Sequence, residues 1–200
     1  MVAGLILAAG RSSRMGRPKA LLPCAPDGQT FVHRLARAFC DGGLQEALVV
    51  GRPDDLALRT EVDTMPVPAR FVENANADAG QLSSLLAGLR AADLPGVRAV
   101  LVAPVDSPLI SADTVATLLA VFSSTGAPIV RACHRGRHGH PVLFSRAVFN
   151  ELRRADPAMG AKAVLRAHEG AIVNVEVDDP GVVRDVDTPE DYRALFGREL

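Results

Sequence analysis

The densest run of chemically useful residues extends from Leu7 to Lys19: Leu7-Ala8-Ala9-Gly10-Arg11-Ser12-Ser13-Arg14-Met15-Gly16-Arg17-Pro18-Lys19. Small residues and glycines let backbone N–H groups approach an anion, and cations packed behind them neutralise the charge that remains. Gly10 and Gly16 offer the close approach, Arg14 and Lys19 the charge, a composition suited to a polyphosphate. Taken alone, the same residues also fit an arginine-rich surface turn. Neither G-x-x-x-x-G-K-[ST] nor G-x-G-x-x-G occurs in the chain, so a P-loop, a dinucleotide-binding loop and a redox dehydrogenase find no support.

Two acidic segments could supply a hard cation with oxygen ligands. Asp106, in Pro104-Val105-Asp106-Ser107-Pro108, follows an apolar run and so falls at the carboxyl end of a strand, where ligands bind in open α/β sheets. Mg²⁺ prefers one or two carboxylates together with substrate phosphates, and Asp187, in Asp185-Val186-Asp187-Thr188-Pro189, is the chosen partner. Isolated aspartates beside proline also cap turns and helix starts, which is the plainer use of both. Asn74-Ala75-Asn76-Ala77-Asp78-Ala79-Gly80-Gln81-Leu82-Ser83-Ser84-Leu85 is a polar loop entering a helix. Its amides and hydroxyls could bond a base and ribose or hold phosphate at the helix N-terminus, or serve the loop itself.

Positioning these residues requires a scaffold, and the hydrophobic pattern supplies one. Short β-branched or apolar runs alternate with segments of helical period, which indicates βαβ units and a mainly parallel sheet. The expected strands are Gly4 to Leu7, Ala47 to Val50, Arg70 to Glu73, Ala99 to Ala103, Ile129 to Ala132, Pro141 to Phe144 and Ile172 to Val177. Leu48-Val49-Val50 and Leu101-Val102-Ala103 are apolar at every position, as strands covered on both faces are. Phe31, Leu35, Ala38 and Phe39, and Leu82, Leu85, Leu86 and Leu89, mark apolar helix faces. A late helix starts at Thr188-Pro189-Glu190-Asp191, with Thr188 as cap and Pro189 in the first turn. No linker or internal repeat divides the 200 residues, so one α/β domain over 1–200 is expected.

Composition narrows the partners. With 22 Lys+Arg against 23 Asp+Glu, the net charge of −1 gives no field for nucleic acid. The three cysteines, Cys24, Cys40 and Cys133, are odd in number and scattered, which suits reduced thiols and a cytoplasmic location rather than a disulfide framework. The apolar start from Val2 to Ala9 has no basic residue before it and arginines soon after, so it is read as a buried strand, not a leader. No apolar stretch approaches the roughly 20 residues that span a bilayer, so no membrane partner is expected.

The first loop, Gly80-Gln81-Leu82-Ser83-Ser84-Leu85, Pro104-Val105-Asp106-Ser107-Pro108, Gly139-His140-Pro141-Val142-Leu143-Phe144 and Asp185-Val186-Asp187-Thr188-Pro189-Glu190-Asp191 occur in the order seen in molybdenum cofactor cytidylyltransferases. The chain resembles that family, and more broadly the MobA-like NTP transferases, over nearly its whole length. The resemblance implies a single-domain, Rossmann-like three-layer sandwich of the glycosyltransferase-A type. It implies that Leu7, Ala8, Ala9, Gly10, Arg11, Arg14 and Lys19, with Gly80, Gln81, Ser83 and Ser84, hold the NTP. Arg14 and Lys19 would act on the triphosphate, Asp106 and Asp187 would hold Mg²⁺, and Gly139, His140 and Pro141 would line the acceptor side. The implied reaction transfers CMP from CTP to the phosphate of molybdopterin, with Arg14, Lys19 and Asp106 as the catalytic set and no general base. A molybdoenzyme or its chaperone is the implied recipient. Cytidylyl members commonly read Leu-Ala-Ala-Gly in the first loop, guanylyl members Leu-Ala-Gly-Gly, and here it is Leu7-Ala8-Ala9-Gly10. Asp106-Ser107-Pro108 departs from the Asp-Met-Pro or Asp-Gln-Pro of many members, which leaves the acceptor open. Transfer of GMP, a related phosphate acceptor, or a non-catalytic cofactor carrier are the alternatives.

Cys133, His134, His138 and His140 fall close together, but their spacing fits no common zinc motif. Gly136 and Gly139 suggest a turn whose histidines face solvent or substrate. The expected metal content of the purified protein therefore includes no stoichiometric zinc; elemental analysis finding about one tightly held zinc per chain would overturn this reading.

Overall fold

Each expected apolar run forms a strand: β1 (Val2–Leu7), β2 (Ala47–Gly51), β3 (Ala69–Glu73), β4 (Ala99–Pro104), β5 (Ile129–His134), β6 (Arg137–Ser145) and β7 (Ile172–Glu176). The computed structural model describes residues 1–24 and 28–198. The strands join in one seven-stranded sheet ordered β3-β2-β1-β4-β6-β5-β7. β6 runs antiparallel to both β4 and β5, and the other pairings are parallel. The chain leaves β1 toward β2 and β3 on one side and returns as β4 on the other, so a topological switch point lies between β1 and β4.

Helices cover both faces. They are α1 (Phe31–Asp41), α2 (Leu56–Thr64), α3 (Gln81–Ala92), α4 (Ala112–Thr125), α5 (Phe149–Arg154), α6 (Lys162–Ala167) and α7 (Pro189–Phe196). Alternation along each strand divides the core in two. Ile6, Val49, Leu101 and Val130 pack with Phe31 and Leu35 of α1, Val115 and Leu118 of α4 and Tyr192 of α7. Leu5, Leu48, Val100, Val102 and Phe144 pack with Leu82, Leu85 and Leu89 of α3, Leu152 of α5 and Val164 of α6. With β1, β2 and β4 enclosed on both faces, an unpaired polar group between the layers is costly, and charged groups collect at the strand ends.

β6 begins at Arg137, earlier than the Pro141 expected from the sequence, because it is one arm of a hairpin with β5. The turn is Arg135-Gly136, with φ of 51° and 74°, the positive pair that a tight hairpin connection requires. Gly139 is therefore not in a turn, which corrects the sequence reading. It lies inside β6, where an added Cβ would stand 1.8 Å from the carbonyl oxygen of Val182. His134 is also not solvent-facing: it is buried, with Nδ1 2.8 Å from the Val177 carbonyl oxygen.

The 180–183 turn that presses on Gly139 is held by Asp179. Its Oδ2 accepts from Ser111 N at 2.9 Å and Thr114 Oγ1 at 2.7 Å, and its Oδ1 accepts from Gly181 N at 2.9 Å. Burial pushes the Asp179 carboxyl up, but the donors from Ser111, Thr114 and Gly181 outweigh it and hold the group below the ordinary carboxylate value. A depressed folded value contributes stability that is present above the unfolded value of about 3.9 and lost as pH falls through the folded one. We expect Asp179→Ala to cost about 3 kcal/mol by stranding these buried donors. Asp179→Asn should flatten the acid limb of the stability curve below about pH 4. Denaturant melts between pH 2 and 7 would show both; an Asp179→Asn curve parallel to wild type at acid pH would refute the assignment.

Candidate active site

The loop after β1 is shaped by its own backbone. Ala8 N bonds Val50 O at 2.8 Å, extending the pairing past the strand, and Ser12 O accepts from Met15 N and Gly16 N at 3.0 and 3.1 Å. Ser12 takes a left-handed φ of 50° and Gly16 one of 71°, which lets the segment fold back on itself. Met15 inserts into the core at 3% exposure, and Ser12 Oγ accepts from Lys19 N at 3.1 Å. Lys19 is thus turned inward as the first residue of a 3₁₀ turn, Lys19–Leu21, and is only 7% exposed.

A buried ammonium needs carboxylates, and two meet it. Lys19 Nζ lies 2.5 Å from Asp187 Oδ1 and 3.4 Å from Asp106 Oδ2, while Arg14 Nη2 lies 3.0 Å from Asp187 Oδ2. Asp106 follows β4, and its backbone oxygen accepts from Val186 N at 2.7 Å, which brings the distant 185–187 segment to the same place. Asp187 is fixed from the other side by the start of α7. Thr188 and Asp191 form a capping box there, and Asp191 Oδ2 also accepts from Asp187 N at 3.0 Å. Burial raises the Asp106 carboxyl above its usual range, with Lys19 opposing and Asp185 and Asp187 adding to the rise. The hydrogen bond from Lys19 holds Asp187 below it, with Arg14 assisting. These carboxylates therefore differ in proton affinity although they share one cation.

Leu7, Ala8, Ala9, Gly10, Ser12, Arg14, Lys19, Gly80, Gln81, Ser84, Asp106 and Asp187 line one pocket of about 290 Å³. It adjoins a larger one, of about 550 Å³, across a wall of Leu7, Gln81 and Pro104. Gly139 and His140 line the larger pocket, whereas Pro141, whose preceding peptide bond is cis, does not. His140 has an enclosed Nδ1 with no protein partner, and burial lowers its proton affinity against the opposing pull of Asp185. Arg11 and Ser83 stand apart from the smaller pocket's lining. Arg11 makes a two-point bridge to Asp78 at 3.0 and 2.9 Å, and Ser83 Oγ bonds Gly80 O at 2.7 Å and Asn74 Nδ2 at 2.8 Å.

Arg52 has no sequence signal, and the structure gives the neighbouring Asn74, Gly80 and Ser107 supporting roles that the sequence did not assign. Arg52 shares Asp78 with Arg11 at 3.0 Å, closing a bridge between the loops after β1, β2 and β3. Buried Asn74 bonds Ser83, Ser84 and Asn76 N, holding the loop that ends at Gly80. Gly80 itself adopts φ 92° and ψ −177°, a conformation open in practice to glycine alone. Ser107 is fully buried and donates to Asp185 Oδ1 at 2.7 Å, which accounts for serine beside Asp106. Among the described residues no three or more His, Cys, Asp or Glu side chains gather as a metal site.

Residues 4–172 match the MobA-like NTP transferase domain. The chain belongs to that family. It is a nucleotidyltransferase with a Rossmann-like fold. It is 29% identical over 195 residues to the purine catabolism protein PucB of Bacillus subtilis, covering 94% of this chain and 93% of that protein. It is 37% identical over 142 residues to the molybdenum cofactor guanylyltransferase of Rhizobium johnstonii, covering 71% of this chain and 61% of that one. The crystal structure of Rv0371c from Mycobacterium tuberculosis superposes with a TM-score of 0.81 at 26% identity, covering 99% of both chains. A complex of Rv0371c with manganese superposes with a TM-score of 0.74, covering 98% of both. Among the described residues no helix is long and apolar enough to cross a membrane.

If Lys19 is what separates the two carboxylates, removing its charge should raise both. We expect Lys19→Met to move the Asp187 titration upward and that of Asp106 further up, read by carboxyl ¹³C NMR. An unmoved Asp187 midpoint would refute the electrostatic account.

Proposed function

We propose that the protein transfers a nucleoside monophosphate from an NTP, with CTP the preferred donor, to the phosphate of a molybdopterin-type acceptor, releasing pyrophosphate. The observation that carries this reading is the meeting of Lys19, Arg14, Asp106 and Asp187 in the smaller of two adjoining pockets at the open end of the sheet. One pocket is smaller and holds Arg14 and Lys19, the cations a triphosphate requires; the other is larger, with Gly139 and His140 in its wall.

The donor set fits a divalent cation. Asp106 and Asp187 are hard oxygen ligands that converge on the Lys19 ammonium, and Mg²⁺ is commonly held by one or two carboxylates with its other ligands from phosphates and water. The manganese complex of Rv0371c supports a divalent cation in this family. Asp106 and Asp187 would hold Mg²⁺, which supplies charge neutralisation to the triphosphate when bound.

The protein's own groups position and neutralise. Gly10 and the neighbouring backbone approach the phosphates, and Lys19 and Arg14 exchange their carboxylate contacts for phosphate oxygens. An oxygen of the acceptor phosphate attacks the α-phosphorus of the NTP, the bond to the bridging oxygen of the β-phosphate breaks, and pyrophosphate leaves with that electron pair. The nucleophile is already anionic, so no base has to remove a proton; alignment and relief of charge repulsion are the main tasks.

Preference for CTP rests on Ala9, which lines the smaller pocket at 4% exposure and stands where guanylyl members commonly have glycine. A second reading, GTP as donor, is favoured by the guanylyltransferase name of the Rhizobium relative. Pyrophosphate release from each of four NTPs, with and without molybdopterin, separates them: we expect CTP to be used best and Ala9→Gly to relax the preference. Better use of GTP by the wild type would replace the cytidylyl reading. In the same assay Asp106→Ala and Asp187→Ala should each abolish Mg²⁺-dependent turnover, a loss of several kcal/mol in transition-state stabilisation, with circular dichroism melts showing a folded protein. Near-normal activity of folded Asp106→Ala would remove the mechanism, and near-normal activity of Asp187→Ala alone would point to Asp185.

A further inference from the structure

Among the described residues, three cations line the larger pocket without a carboxylate partner: Arg131 on β5, Arg137 at the start of β6 and Lys162 at the start of α6. The contrast with the smaller pocket is direct, since both basic residues of its lining, Arg14 and Lys19, are ion-paired there. Asp185 is the one carboxylate in the larger pocket's lining, and its Oδ1 accepts from Ser107. The floor between these charges is apolar, formed by Leu82, Leu85, Val142 and Phe144.

Arg131 is prepared for an anion. Its Nε and Nη2 both bond Asn174 Oδ1, at 3.0 and 2.9 Å, which fixes the guanidinium plane without neutralising it. The remaining N–H groups of that fork have no partner among the described residues. Arg131 pairs in register with Val142, so it projects from the same sheet face as Val142, and it lines the same pocket as His138 and His140. Val164 of α6 packs on that face, which brings Lys162 over it. In the sheet β5 lies two strands from β4, so the Arg131 backbone stands about 10 Å across from the strand whose end carries Asp106.

We infer that the acceptor carries a second anionic group, remote from its reacting phosphate, and that Arg131, Arg137 and Lys162 bind it. The inference rests on the reading of the larger pocket as the acceptor side. Such a ligand is held at two points: its reacting phosphate at the Lys19–Asp106 end, its second anion at the three cations, with a flat or apolar body over Leu82, Leu85 and Phe144. Two-point attachment fixes the direction of attack and disfavours small phosphates that reach only one end.

Arg137 and Lys162 are exposed, so the double variant Arg137→Glu/Lys162→Glu of the full chain should fold, which melts would verify. Sulfate is the anion probe, titrated at constant ionic strength made up with chloride, with the imidazole resonances of His138 reporting on this pocket and the Gly10 amide on the other. We expect saturable His138 shifts in the wild type and a midpoint about tenfold higher in the double variant, with the Gly10 response unchanged. Equal midpoints, or no His138 shift in the wild type, would overturn the proposal. In turnover with molybdopterin and the preferred NTP, acceptor KM should rise about tenfold while the KM for NTP holds within about twofold. An unchanged acceptor KM would also overturn it. A wild type that binds sulfate through these cations yet turns over no NTP with molybdopterin would support the anion site and sink the transferase reading instead.

Discussion

A lysine ammonium enclosed at the end of a parallel sheet is unstable unless carboxylates come to it, and much of the site's architecture is organised around that requirement. Lys19 is drawn inward by the turn at Ser12 and the buried Met15, and is met by Asp106 from the end of β4 and Asp187 from beyond β7. Neither carboxylate arrives alone. The bond from Val186 N to Asp106 O joins their segments, and the capping box of α7 fixes the Asp187 backbone. α7 in turn is anchored by Tyr192, 1% exposed, whose hydroxyl donates to Pro23 O at 2.6 Å and whose ring packs on Phe31 and Phe196. A core aromatic cluster and the ion cluster around buried Lys19 are therefore parts of one arrangement.

The same constraint explains the division of labour between the two pockets. Strands buried on both faces leave only their ends for polar work, and the switch point between β1 and β4 opens the first of those ends. There the charges are balanced within the protein, so a triphosphate must exchange with carboxylates already in place. Beside β4 the antiparallel β6 extends the hairpin past the residues paired with β4, and the turn at 180–183 closes over Gly139. That construction produces a roomier pocket with apolar side chains and three cations in its lining.

Much of this was determined by the sequence alone. Strand positions follow from runs of β-branched residues, the two-faced core from continuous hydrophobicity in β2 and β4, and the start of α7 from Thr188-Pro189-Glu190-Asp191, because these are local preferences that act over a few residues. The first loop, Asp106 and Asp187 stood out as candidates by residue type, although each alone also fits a structural use, and the structure brings them together. Tertiary structure decided the rest. That Arg11 faces Asp78 with Arg52, that Ser107 holds Asp185, that Gly139 sits inside a strand under Val182 and that His134 is buried against Val177 all depend on segments far apart in the chain. The common reason is range: hydrophobic period and capping read a residue against its neighbours, whereas hydrogen bonds, ion pairs and close backbone contacts between loops depend on how the strands are ordered in the sheet, which no local pattern encodes.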